Sequence, residues 1–277
     1  MDSQNNSGKW IVVSFGSHGK WVKAIKRLSK QVEQLDKNLT FMAYDERKIK
    51  SLNEWKSIEK LIIDHPKGFG LWIWKPIIIL DVLQNNPEAF GVIYLDAGCE
   101  ININSMSKVR FHQYLDIVKK RDLLTFEMNL LEYNYTNHQT IIEIYPNLKK
   151  ESKQISATVI FVKNSTKAKI IINEWQKLLS EENNKHLIGN SIQSDSEYSL
   201  IAHRHDQSVL SLLLRKFHIN PIPDETYWAP NWNNSGKSYP IWSTRNHHYF
   251  SVTFFPKTQD FIRKMKRIKL KLFKINL

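Results

Sequence analysis

A chain of 277 residues is long enough to bury a full hydrophobic core, so one large domain, or one with a small appendage, is the expected organisation. Hydrophobic residues at 42%, aromatics at 12% and nine tryptophans exclude a disordered chain. The formal charge of +13 favours polyanionic partners, and a single cysteine, Cys99, excludes an internal disulfide and a cysteine zinc cluster.

The N-terminal MDSQNNSGKW does not read as a signal peptide, because no charged region is followed by an apolar stretch. No window reaches the roughly 18 to 20 apolar residues of a membrane span. Together with the lone thiol, these features lead to the expectation of a cytoplasmic protein.

In chain order, WIVVSFG (Trp10 to Gly16) reads as a buried strand closed by glycine. KWVKAIKRLSKQVEQL follows as a helix, with Trp21, Ala24, Ile25, Leu28 and Val32 on its apolar stripe. TFMAYD is a second strand ending in Asp45, which makes a βαβ opening. HPKGFGLWIWKPIIILDVL brings Gly68, Gly70, Trp72 and Trp74 up to a helix whose first turn tolerates Pro76. GVIYLDAGCEI is the next strand and its tip, and DLLTFEM and QISATVIFVKN read as further strands. KAKIIINEWQKLL and DQSVLSLLLRKF are the remaining helices.

This alternation predicts an α/β fold: one Rossmann-like, mostly parallel sheet flanked by helices, with ligands outside the carboxyl ends of the strands. Residues 1–256 form the expected domain, in which the irregular stretch from Tyr227 to Tyr249 folds over the sheet as a lid or acceptor-side region. Residues 257–277 form a basic C-terminal segment.

A carboxylate at the end of a buried strand, then small residues, then a second carboxylate, suits a divalent cation held against a diphosphate. Here these are Asp96 and Glu100, with Ala97 and Gly98 letting a substrate approach the backbone. The bland alternative is a turn cap and a solvated glutamate. Lys75, at a helix start, combines a cation with free amides that favour a phosphate. Trp72 and Trp74 either stack on a base or sugar or belong to the core with Lys75 snorkelling past them, and Asp206 either caps its helix or faces a ligand.

Taken together and in this order, GFGLWIWKP, IYLDAGCEI, HRHDQSVLSLL and STRNHH resemble the bacterial polysaccharide-type glycosyltransferases with the A-type nucleotide-sugar fold, from about Trp10 to Tyr249. The resemblance implies an Asp-x-Asp element for metal, ribose and diphosphate. Asp96 matches its first aspartate, but Gly98 stands at the second, so Glu100, water or metal-independent catalysis has to complete the site. It also implies that Ser14, Phe15 and Gly16 cradle the base with Asp45 near it, that Asp206 and Gln207 meet the donor sugar, and that a late histidine, His247, binds metal or phosphate. Arg245 beside it suits the leaving diphosphate.

The implied cofactor is Mn or Mg, and the implied partners are a nucleotide-sugar donor, UDP-linked, and a glycan or lipid-linked acceptor. Residues 257–277 hold eight of the 40 lysines and arginines around Phe261, Met265, Ile268, Leu272 and Ile275. That pattern suits either peripheral contact with anionic membrane on its inner face or a docked helix with a solvated lysine face. Nucleic acid is not expected, since no reading module accompanies the charge. The expected function is sugar transfer to a hydroxyl; the alternative is a non-catalytic protein of the same fold that binds glycan or membrane.

Overall fold

Every residue of Trp10–Phe15 is buried, and its side chains alternate between two cores. Ile11, Val13 and Phe15 enter one, while Trp10 and Val12 enter the other. Such a strand must be covered on both faces. The computed structural model describes residues 9–181, 185–189, 200–226 and 236–251.

The first half comprises β1 (Trp10–Phe15), α1 (Lys20–Leu35), β2 (Leu39–Tyr44), α2 (Glu46–Lys50), α3 (Trp55–Asp64), α4 (Gly68–Leu71), α5 (Trp74–Asn85), β3 (Gly91–Leu95) and β4 (Glu100–Ile101). After these come α6 (Ser105–Lys120), β5 (Leu123–Leu124), β6 (Phe126–Leu131), α7 (Glu132–Tyr135), α8 (His138–Ile144), β7 (Lys153–Ile155), β8 (Val159–Lys163) and α9 (Thr166–Ser180). The described chain closes with α10 (Lys185–Ile188), α11 (His205–Lys216), β9 (Ile222–Pro223), a 3-10 turn at Gly236–Ser238 and β10 (Ile241–Trp242).

The main sheet has the order β2-β1-β3-β8-β5. β1 pairs in parallel with β2 and β3, whereas β8 runs antiparallel to both β3 and β5. Four of its five strands therefore point the same way, and the expected mostly parallel sheet flanked by helices is what forms. Its parallel strands bring Phe15, Tyr44 and Leu95 out at one edge, the edge where ligands collect in such sheets.

Two expected strands divide. DLLTFEM splits into β5 in the main sheet and β6 in a second sheet ordered β7-β6-β9, and QISATVIFVKN splits likewise into β7 and β8. The chain changes sheets at Thr125 and again at Ser156–Thr158, short polar interruptions that no glycine or proline marks. Trp74 opens α5 rather than preceding it.

α5 is buried almost along its whole length, sandwiched in the core that also holds Ile171, Ile172 and Trp175 of α9. α1 buries Ala24, Leu28, Val32 and Leu35 as its periodicity requires, and one arginine, Arg27, with them. The boundary expected after residue 256, the segment 257–277 and residues 227–235 lie outside the described residues. The described part of the irregular stretch docks on the strand tips through β10, where Ile241 pairs with Ile101 and Trp242 with Glu100.

Candidate active site

β3 ends at Leu95, and the next residue, Asp96, continues its ladder with an amide donating to Thr158 O at 3.0 Å. Alternation along the strand puts Tyr94 on the same face as Asp96. The Tyr94 hydroxyl donates to Asp96 Oδ1 at 2.6 Å.

Lys75 reaches the same oxygen from the first turn of α5, with Nζ 3.2 Å from Asp96 Oδ1 and 3.0 Å from Asp206 Oδ2. A third contact donates to Ala157 O at 3.1 Å. The ammonium thus makes an ion pair with each carboxylate and a hydrogen bond to the carbonyl. The phosphate role expected for Lys75 gives way to a different one, the pinning of two carboxylates 110 residues apart in the chain.

Exposure separates the members of this cluster. The side chains of Lys75 and Asp206 are each 5% exposed and that of Asp96 34%, so Asp96 is the carboxylate a ligand can touch. The Tyr94 and Lys75 contacts both go to its Oδ1.

Burial pushes the Asp206 carboxyl up to about 6 although Lys75 holds it down. Burial also works against the Lys75 ammonium, but Asp206 and Asp96 outweigh it and its affinity for its proton rises. The Tyr94 phenol goes far above its ordinary range through burial and the neighbouring Asp96, and it stays a donor.

Asp206 does not cap its helix. Arg204 holds the cap position without a side-chain capping bond, His205 follows with a left-handed φ of 48°, and the Asp206 carbonyl accepts from Trp175 Nε1 at 3.1 Å. Gln207 points inward: Oε1 accepts from the Ala157 amide at 3.3 Å, and Nε2 donates to Gln154 Oε1 at 2.7 Å. Both residues therefore back the site rather than line it.

The backbone leading to Lys75 is unusual. Gly68, Phe69, Gly70, Leu71 and Trp72 all have φ between 53° and 82°, so α4 is a left-handed turn. Each non-glycine residue there costs about 1–2 kcal/mol, and strain of this kind gathers at functional sites. A Cβ on Gly70 would lie 2.4 Å from Ile62 Cγ1. Gly70→Ala is expected to cost roughly 2–4 kcal/mol, read as a lower urea midpoint.

The expected base cradle is mostly packing. Ser14 is fully buried, Phe15 packs on Trp74 at a ring separation of 4.1 Å, and the Gly16 amide donates to Tyr44 O. Trp74 itself is core, with Nε1 donating to Gly68 O at 3.0 Å, so it offers no face to a sugar. Trp72 is half-buried and stacks on His205. Asp45 caps α2 by accepting from the Lys48 amide at 2.9 Å.

The expected cation set of Asp96, Glu100 and His247 does not assemble. Glu100 is completely buried, accepting from Asn246 Nδ2 at 2.9 Å beside Arg27, and the His247 ring sits edge-on to Trp21. Asp96 is then one carboxylate with an ammonium at its other side, and no group of three His, Cys, Asp or Glu is placed to hold a metal among the described residues. These residues do not fit a protein-built cation site.

Gly98 does not admit a substrate as expected. A Cβ there would lie 2.9 Å from Arg245 Cα, so its bareness lets the chain's own 243–248 segment approach the tip. Tyr94, Arg27 and Asn246 were not expected at the site. Only Tyr94 had a sequence signal, its place two residues before Asp96.

No protein-family model matches the chain, and no curated protein matches it. Among solved structures it is similar to a glycosyltransferase involved in the glycosylation of the major capsid of PBCV-1, at 11% identity and a TM-score of 0.47 over 84% of this chain and 92% of that one. Mouse xyloside xylosyltransferase 1 gives 9% and 0.48 over 85% and 97%. The galactosyltransferase LgtC, in complex with donor and acceptor sugar analogues, gives 11% and 0.44 over 87% of each chain. At TM-scores below 0.5 these likenesses fix neither fold nor chemistry, which rest on the strands and side chains described above.

Proposed function

We propose that the chain transfers a sugar from a UDP-linked nucleotide-sugar donor to a hydroxyl of a glycan or lipid-linked glycan. The observation that carries this reading is the Asp96–Lys75–Asp206 cluster at the carboxyl edge of the parallel strands, with Asp96 alone open to a ligand. Transfer forms a bond from the acceptor oxygen to the anomeric carbon and breaks the bond from that carbon to the diphosphate oxygen, which leaves with both electrons. The acceptor hydroxyl gives up its proton to the leaving diphosphate or to solvent.

Asp96 meets the donor in this reading, while Lys75, Tyr94 and Asp206 hold its carboxylate in one orientation before substrate arrives. Such preorganisation is where most of the acceleration in a site of this kind originates. Mn or Mg, the implied cofactor, would supply charge neutralisation at the donor's diphosphate and would take its oxygens from substrate and water rather than from a protein-built site. Peripheral membrane contact through residues 257–277 belongs to the same proposal, as does their separation from the 1–256 domain.

A thermal-shift screen against UDP, GDP, CMP and their sugars, with and without Mn or Mg, tests it. A ligand at 100 times its Kd adds about 2.7 kcal/mol to a fold that alone binds it. UDP and UDP-sugars are expected to raise Tm, and no shift with any nucleotide would sink the reading.

A further inference from the structure

Arg27 is the one arginine that α1 buries. Its guanidinium donates to four carbonyls: Nη2 to Ala97 O at 3.2 Å, to Cys99 O at 2.8 Å and to Asn246 O at 3.1 Å, and Nη1 to His248 O. Glu100 Oε1 lies 3.8 Å from its Nε. Two of these carbonyls belong to the tip after Asp96 and two to the 243–248 segment, so a single planar fork ties the two together.

The segment is fastened again on either side of Arg245. Thr244 Oγ1 and the Asn246 amide both donate to Gly98 O at 3.0 Å, and Asn246 Nδ2 donates to Glu100 and to Phe250 O. Thr244 and Asn246 are buried, whereas Arg245 between them is exposed and held at a φ of 56°. A long side chain tolerates that conformation only where its surroundings impose it. The construction holds the Arg245 backbone against Gly98, two residues past Asp96, and leaves its side chain exposed.

We propose that Arg27 is a positioning residue: it clamps the 243–248 segment to the tip of β3 so that Arg245 meets the donor's diphosphate. The identity of the anion rests on the function proposed above; the clamp does not. Lysine cannot replace the fork, because a compact ammonium with three donors cannot reproduce the planar spread that meets four carbonyls at once.

The test pairs hydrogen exchange with UDP binding in the full chain. Arg27→Lys is expected to speed exchange at the amides of Asn246 and His248 at least tenfold while β1 is unchanged, and to weaken UDP by the same factor as Arg245→Ala, with the double variant no weaker than either. Should Arg27→Lys fail to fold, Gly98→Ala loosens the same segment from the other side and is expected to give the same two results. Unchanged exchange overturns the clamp, and affinity losses that multiply in the double variant overturn its link to Arg245. A wild type that binds no UDP removes the anion and the proposed function together, while the exchange data still judge the clamp.

Discussion

Replacing Lys75 by methionine is expected to destabilise the chain by about 3–5 kcal/mol at pH 7, the usual result of stripping one partner from a buried ion pair. Methionine fills much of the lysine stem's volume, so the loss is electrostatic rather than a cavity. Asp206 would be left buried without a counter-charge, and Asp96 would face it across the same gap.

The pH dependence has a definite sign. Asp206 titrates near 6 when folded, against about 3.9 for an unfolded aspartate, and Lys75 is what keeps it from going higher. Without the ammonium, the folded variant binds a proton that the unfolded chain releases, so its stability rises as pH falls from 7 toward 4 and the gap to wild type closes. Urea denaturation at pH 7 and pH 5 reads both effects. Adding Asp206→Asn to the variant is expected to recover most of the loss at pH 7. A cost below about 1 kcal/mol, or a gap equal at both pH values, would contradict the buried ion-pair account.

Periodicity and position revealed much of this architecture. The apolar run from Trp10, the helix stripe through Leu28 and Val32, and a carboxylate at the end of GVIYLD were all visible one segment at a time. Lys75, Asp96 and Asp206 were each singled out, but their convergence was not, because three-dimensional proximity across α5, β3 and α11 leaves no local pattern. Each therefore received a separate ligand when in fact they hold one another.

The misplaced readings share a cause. Trp74, Gly98 and Glu100 carry the chemistry of binding residues, and the fold uses that chemistry internally: an indole against Phe15, a missing Cβ under Arg245, a carboxylate beside Arg27. Residue type states what a side chain can do, and only packing states for whom. Arg27 is the converse case. It stands one residue before Leu28 on the buried stripe, where a charge is costly unless it is compensated, and nothing in the sequence named the four carbonyls that meet its Nη1 and Nη2 or the Glu100 carboxylate 3.8 Å from its Nε.

Asp96→Asn is expected to lower kcat/KM for sugar transfer about a thousandfold, the scale of losing one preorganised electrostatic contact to the reacting group. Stability should barely move. Lys75 and Asp206 remain as a neutral buried pair, the amide oxygen still accepts from the Tyr94 hydroxyl, and the altered side chain is partly in solvent. This sets Asp96 apart from its neighbours, since Lys75→Met damages fold and site together. Measuring UDP release with an acceptor panel, beside melting curves of the same samples, separates the two. A variant within threefold of wild type would show that Asp96 does not meet the donor. A wild type that binds UDP and turns over none, across a broad panel, would instead show a binding protein in which Lys75 has already neutralised the carboxylate that transfer requires.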